Sequence, residues 1–230
     1  MKILYVPFSR EKAGDLTNLV NIWKENHLKN YNSPIKIVYF NEHAGIAPED
    51  VTFEVFICAH GCDEINFMFV GNHVDFSKAD FIDIQTVAER FNHDFLYYST
   101  QIISTHLYCC GNYQKNKSIA EQFQANVLGT VGIINYYNGS ITTVDEQGKQ
   151  WSLGGSKPVP VAETARKIFV PYISLEHEMN KRKSIKHRPT YEECLEQRRN
   201  KFFANCKKNR FKAIQERRHG SNESVSISLR

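Results

Sequence analysis

The hydrophobic and polar positions of this chain switch repeatedly between two rhythms. Lys2 to Pro7 is an apolar, β-branched run that predicts a strand, and Asp15 to Lys29 then places Leu16, Leu19, Val20, Trp23 and Leu28 at helical spacing. Ile35 to Phe40 predicts the next strand. Val55-Phe56-Ile57-Cys58-Ala59 is the unbroken apolar run of a strand buried on both faces. Ile65 to Val70 predicts a short hairpin strand closed by Gly71-Asn72, and Ile84, Val87, Ala88 and Phe91 return to helical spacing between Ile82 and Phe91. A buried strand from Ile102 to Cys109, a helix from Ser118 to Leu128 and a strand from Thr130 to Tyr137 continue the alternation. Strands and helices alternating at this rate imply right-handed crossovers. The expected fold is therefore α/β, a mainly parallel central sheet with helices on both faces.

After Tyr137 the rhythm breaks. Asn138-Gly139 and Gln147-Gly148 are turn signals that predict an antiparallel β-hairpin flap ahead of Trp151. Pro158, Pro160 and Pro171 mark irregular connections, and Thr190 with Glu193 forms a capping box opening a basic helix to about Arg217. His219 to Arg230 reads as disordered. The expected organisation is an α/β domain over residues 1–175, a basic helical extension over 176–218 and a tail over 219–230.

Charge sharpens that division. From His177 to Arg230 there are 15 Lys and Arg against 6 Asp and Glu, and the remainder holds 14 against 19, so an acidic domain (−5) carries a basic segment (+9). The clusters Lys181-Arg182-Lys183 with Lys186 and Arg188, and Lys207-Lys208 with Arg210, Lys212, Arg217 and Arg218, read either as a solvated helix face or as a surface for a polyanion. Phe202, Phe203 and Phe211 are expected to pack that helix against the domain. No stretch approaches the roughly 18 apolar residues of a transmembrane helix, and Met1 to Pro7 lacks the pattern of a cleaved secretory signal. A cytoplasmic location, or delivery into a host cell without a cleaved signal peptide, is expected. Six cysteines, two of them adjacent at Cys109-Cys110, are too sparse for a disulfide scaffold and point to reduced thiols.

Ligands bind at the carboxyl ends of the strands in an open parallel sheet, which singles out two places. One strand ends in His60-Gly61, the other in Cys110-Gly111-Asn112. A thiolate is a strong nucleophile, an imidazole can take and return its proton, and a glycine lets a backbone N–H approach a developing oxyanion. Cys58, His60 and Cys62 could instead be read as metal ligands. Their one-residue spacing along a strand, with Gly61 bending the chain between them, differs from the Cys-x₂₋₄-Cys spacing of structural zinc sites, and that reading is set aside. Asp63, Glu64 and Asp83 are candidate electrostatic partners for His60, or else ordinary surface acids.

Val55-Phe56-Ile57-Cys58-Ala59-His60-Gly61 resembles the apolar-strand-then-His-Gly block of caspase-like (clan CD) cysteine peptidases. Leu107-Tyr108-Cys109-Cys110-Gly111-Asn112 is similar to the second block, which ends in a small residue, the nucleophile and a Gly-containing turn. In caspases the His lies about 50 residues before the Cys, and the interval from His60 to Cys110 matches. The resemblance covers residues 1 to about 150. The hairpin after His60 and the Asn138-Gly139 flap look closest to the self-processing peptidase domains of large bacterial toxins.

This likeness implies a three-layer caspase-like sandwich and a thiol endopeptidase acting on a protein or peptide, such as a bacterial effector, with neither cofactor nor metal. It implies Cys110 as nucleophile, His60 as proton carrier and Gly61 at the oxyanion. Cys109, which also satisfies Cys-x-Gly, stays as the alternative nucleophile. The caspase block Gln-Ala-Cys-x-Gly is missing. Some toxin peptidases of this kind are switched on by inositol hexakisphosphate through a basic cluster, which makes such activation a further expectation. Two other functions fit the same residues: a catalytically silent caspase-like binding module, and a polyanion-binding protein acting through its basic tail. The oligomeric state is not set by any of these features.

Overall fold

The computed structural model of the 230-residue chain describes residues 1–46, 52–62, 67–129 and 132–169, all within the unit Met1–Ile185. The expected basic helix and tail, with the capping box at Thr190 and Glu193, lie outside the described residues, as do Asp63 and Glu64. In chain order the elements are β1 (Lys2–Val6), α1 (Leu16–Asn30), β2 (Ile35–Tyr39), β3 (Phe53–Cys58), β4 (Phe69–Gly71), β5 (Phe81–Asp83) and α2 (Ile84–Phe95). They continue with β6 (Ile102–Tyr108), α3 (Tyr113–Asn126), β7 (Ile133–Tyr136), β8 (Trp151–Ser152), β9 (Val159–Pro160), α4 (Val161–Thr164) and β10 (Arg166–Phe169).

Six strands form one sheet in the order β10-β7-β6-β3-β1-β2, parallel throughout except for β10, which runs antiparallel to β7. From β1 the chain first steps outward to β2 and then returns to place β3 on the other side. This reversal opens a crevice at the carboxyl ends of β1 and β3, where open α/β sheets bind ligands.

Residue parity explains the unbroken apolar runs. Ile3 and Tyr5, Val55 and Ile57, Leu107 and Cys109 join one hydrophobic cluster with Val87 and Phe91 of α2 and Ile119 and Phe123 of α3. Their neighbours Leu4 and Val6, Phe56 and Cys58, and Tyr108 join a second cluster with Leu16, Val20 and Trp23 of α1. Side chains one apart on a strand point to opposite faces, so helices cover both sides and neither face tolerates polar alternation. Phe91 meets Phe123 edge-on at 5.5 Å on one side, and Trp23 meets Phe56 at 5.3 Å and Tyr108 at 4.7 Å on the other. Each such pair contributes about 0.5–1.5 kcal/mol beyond the area it buries.

The structure departs from the expected elements at several places, among them the short strand β9 and helix α4 where irregular connections were expected around Pro158 and Pro160. Phe81–Asp83 pairs antiparallel with Phe69–Gly71, so α2 starts at Ile84 and the hairpin closes through residues 72–80 rather than through Gly71-Asn72. Helix α3 starts at Tyr113, five residues before the expected start, because the Asn112 side chain caps it by accepting the Lys115 N–H. Asn138-Gly139 is not a hairpin tip. Gly139, at φ 88°, exchanges two backbone hydrogen bonds with Gly111, and the hairpin that follows turns at Asp145–Gly148, with Ile141 bridged to Ser152. Finally, β10 adds an antiparallel edge that hydrophobic patterning had not revealed.

Candidate active site

Three neighbouring strands deliver the polar residues of the crevice. Cys58 and Tyr108 are paired in the β3–β6 ladder, and the Ala59 N–H still reaches the Tyr108 carbonyl at 3.4 Å one residue further on. Counting by twos from that pair puts His60 and Cys110 on the α1 side. Both line one cavity of about 60 Å³, walled by Leu16, Val20 and Trp23 of α1 and closed by Ile141. No Asp, Glu, Lys or Arg is among the described residues of this wall.

His60 is fixed from two directions. Its backbone exchanges hydrogen bonds with Gly71, both 2.9 Å, which ties β4 to the end of β3. Its ring Nε2 lies 2.6 Å from Asp15 Oδ1, and because a carboxylate only accepts, Nε2 carries the hydrogen. Asp15 stands at the N-cap position of α1 yet makes no side-chain cap there. Its second oxygen accepts the Val74 N–H at 3.0 Å and lies 3.8 Å from His73 Nδ1. The loop carrying Asp15 is held in turn by Asn72, whose amide donates to the Lys12 carbonyl at 2.6 Å and accepts the Asp80 N–H at 2.7 Å.

Cys110 is positioned mostly by backbone. The Ile141 N–H points at its sulfur at 3.4 Å. A Cβ at Gly61 would collide with the Cys110 carbonyl oxygen, so the two strand ends approach this closely only because residue 61 has no side chain. Asn116, buried on α3, points its amide nitrogen at three carbonyls: Cys109 at 3.2 Å, Gly111 at 3.1 Å and Tyr137 at 2.8 Å. The first two flank Cys110, so a single side chain fixes the backbone on either side of the sulfur.

The remaining residues singled out by sequence fall elsewhere. Cys109 faces the opposite side of the sheet, in the cluster beneath α2 and α3, where burial pushes its thiol up to about 12. The Cys58 thiol, buried in the α1 cluster, is pushed well above its ordinary value by desolvation. Cys62 points to Lys115 Nζ at 3.2 Å. Asp83 caps α2 by accepting the Thr86 N–H at 2.7 Å, so the carboxylate on His60 is that of Asp15. Among the described residues no group of three His, Cys, Asp or Glu side chains is arranged to hold a metal ion, and no helix is long and apolar enough to cross a membrane.

Sequence reading had missed Asp15 and Asn116. The signal for Asp15 was an acid following the first strand, at the loop that borders the reversal in strand order. For Asn116 it was a polar residue on the buried stripe of α3, next to the apolar Ile119, Ala120 and Phe123. No protein-family model matches the chain. No curated protein matches it significantly.

Proposed function

We propose that the chain is a caspase-like cysteine peptidase working through Asp15, His60 and Cys110. The observation that carries this reading is that β3 and β6 bring His60 and Cys110 to the wall of one cavity while a carboxylate from the β1 side binds the imidazole. Two further features agree with it: helices on both faces of the sheet, making three layers, and the hairpin beyond Gly139, serving as a flap over the sulfur.

In the reaction, Asp15 holds Nε2–H and leaves Nδ1 as the nitrogen that exchanges a proton with Cys110. Sγ attacks the scissile carbonyl carbon, assisted by the Ile141 N–H that faces the thiolate. The negative oxygen is received by the N–H groups of Gly61 and Cys110 in a site of low dielectric. Collapse of the tetrahedral species breaks the C–N bond as His60 returns the proton to the departing amine. Water, deprotonated by the same imidazole, then hydrolyses the thioester. The uncharged cavity beside the sulfur receives an apolar side chain next to the scissile bond. Burying a leucine-sized group there contributes about 1.5–3 kcal/mol, and an acidic or basic group would be desolvated without a partner.

Labelling with a cysteine-directed peptide electrophile tests this reading. Wild type and Cys109→Ala should label, Cys110→Ala should not, and His60→Ala should label slowly; a leucine-ended probe should outpace aspartate- and arginine-ended ones. A silent binding module would leave every variant unlabelled, and labelling that persists in Cys110→Ala would remove Cys110 as the nucleophile.

A further inference from the structure

A second sulfur has a reactive neighbour, and it belongs to neither the cavity nor the proposed reaction. Cys62 is half-buried in the segment that follows Gly61. Lys115 lies in the first turn of α3, is 0% exposed, and points its Nζ at Cys62 Sγ over 3.2 Å, with the Phe67 ring 5.8 Å away. Lysine is almost never fully buried unless paired, because taking its charge out of water is unfavourable. Among the described residues the side-chain group it meets is a thiol. The same segment is tied to the turn beyond Cys110, since a Cβ at Gly111 would stand 3.2 Å from the Cys62 carbonyl oxygen.

An amine in contact with a partly exposed thiol can be joined to it by oxidation. We propose that Cys62 and Lys115 are the two halves of a reversible covalent latch, closed by hydrogen peroxide and opened by a thiol reductant. In the first step the peroxide O–O bond breaks, one oxygen bonds to the Cys62 sulfur to give a sulfenic acid, and the other leaves as water. In the second, the Lys115 nitrogen, as the free amine, attacks that sulfur. The N–S bond forms, the S–O bond breaks, and the hydroxide departs as water with a proton from the nitrogen. The sulfur gives up two electrons and the peroxide takes them. Two reductant thiols return the electrons, forming their own disulfide and releasing Cys62 and Lys115 unchanged.

Exposure favours this order of events. Cys62 is a half-buried residue, within reach of a small oxidant, whereas Lys115 is fully buried, shielded from other electrophiles and already in contact. The flexible four-carbon stem of lysine supplies the remaining approach. The closed latch joins the segment after β3 to α3 and holds whether or not the chain is a peptidase.

The full-length protein, freed of reductant and treated with hydrogen peroxide, is digested without reduction and mapped by mass spectrometry. The expected product is a Cys62 peptide linked to a Lys115 peptide, two hydrogens lighter than their sum, uncut by trypsin after Lys115 and separated by dithiothreitol. It should form equally in Cys110→Ala, because that sulfur takes no part, and should be absent from Cys62→Ser. Lys115→Arg should send Cys62 on to the sulfinic acid. A wild-type Cys62 that ends as sulfinic acid, or in a disulfide with Cys109 or Cys110, would overturn the latch whatever the fate of the variants.

Discussion

Asp15 sits where an aspartate usually caps a helix, and its carboxylate turns away from α1 to hold an imidazole and the Val74 N–H. Removing its charge should leave the fold in place and disturb the ring. Asp15→Asn is expected to slow electrophile labelling of Cys110 roughly 10²-fold, the lower end of what a well-placed proton carrier contributes, with an unchanged near-ultraviolet circular dichroism spectrum. Labelling at the wild-type rate would reduce Asp15 to a tether between β1 and β4. Asn116 presents the complementary case, because it never meets the cavity. Asn116→Ala removes a donor from the Cys109 and Tyr137 carbonyls, while the Gly111 carbonyl keeps the Gly139 N–H, at about 1–3 kcal/mol. Urea unfolding should register that loss, and labelling of Cys110 should slow in a protein that still folds. Cys109 and Cys110 differ by one position and lie in unlike surroundings. Iodoacetamide near neutral pH should modify Cys110 and spare Cys109, whose sulfur is both buried and held protonated.

Among the elements, α1 has two tasks. Its apolar stripe covers one face of β1 and β3, and the same residues wall the cavity. Trp23, 3% exposed, joins the tasks through its contacts with Phe56 and Tyr108. Trp23→Ala should cost about 3–5 kcal/mol, the usual range for removing a large buried aromatic. It should also widen the cavity, so that among variants that remain folded a bulkier apolar probe gains on the leucine-ended one. The 139–153 hairpin is attached differently, by backbone hydrogen bonds between Gly139 and Gly111 and by the Asn26 amide of α1, which donates to the Val144 carbonyl at 2.8 Å. Those contacts set the position of the Ile141 N–H, and therefore the surroundings of the sulfur.

For the molecule as a whole, burial of weak acids shapes the response to pH. The thiols of Cys58 and Cys109, and the phenols of Tyr108 and Tyr137, are held neutral by desolvation to higher pH in the folded chain than in the unfolded one. An unfolded cysteine releases its proton near pH 8.5. Below that value the contribution of each buried thiol is fully present. Above it the unfolded state binds fewer protons than the folded state, so stability falls as pH rises, toward about 12 for Cys109. The slope is on the order of 1 kcal/mol per pH unit for each thiol. Urea midpoints should therefore agree near pH 7 and pH 8 and drop near pH 10, and a midpoint unchanged across that interval would contradict the burial of these groups.

Continuous apolar runs switching with helical spacing determined the parallel strands, the helices between them and the largely parallel sheet, because the pattern records which faces are buried. Parity within two apolar runs went further. Once Cys58 and Tyr108 are neighbours, His60 and Cys110 must share a face and Cys109 must take the other. What periodicity does not record is which elements meet. Asp15 reaches His60 across 45 residues only because β1 and β3 become adjacent at the reversal in strand order. Asn116 finds its carbonyls only because α3 packs against the ends of β6 and β7. Lys115 meets Cys62, 53 residues away, for the same kind of reason. Such pairings depend on strand order and helix packing, which the chain settles by burying two faces of one sheet at once, so the partners of the site came from the tertiary structure alone.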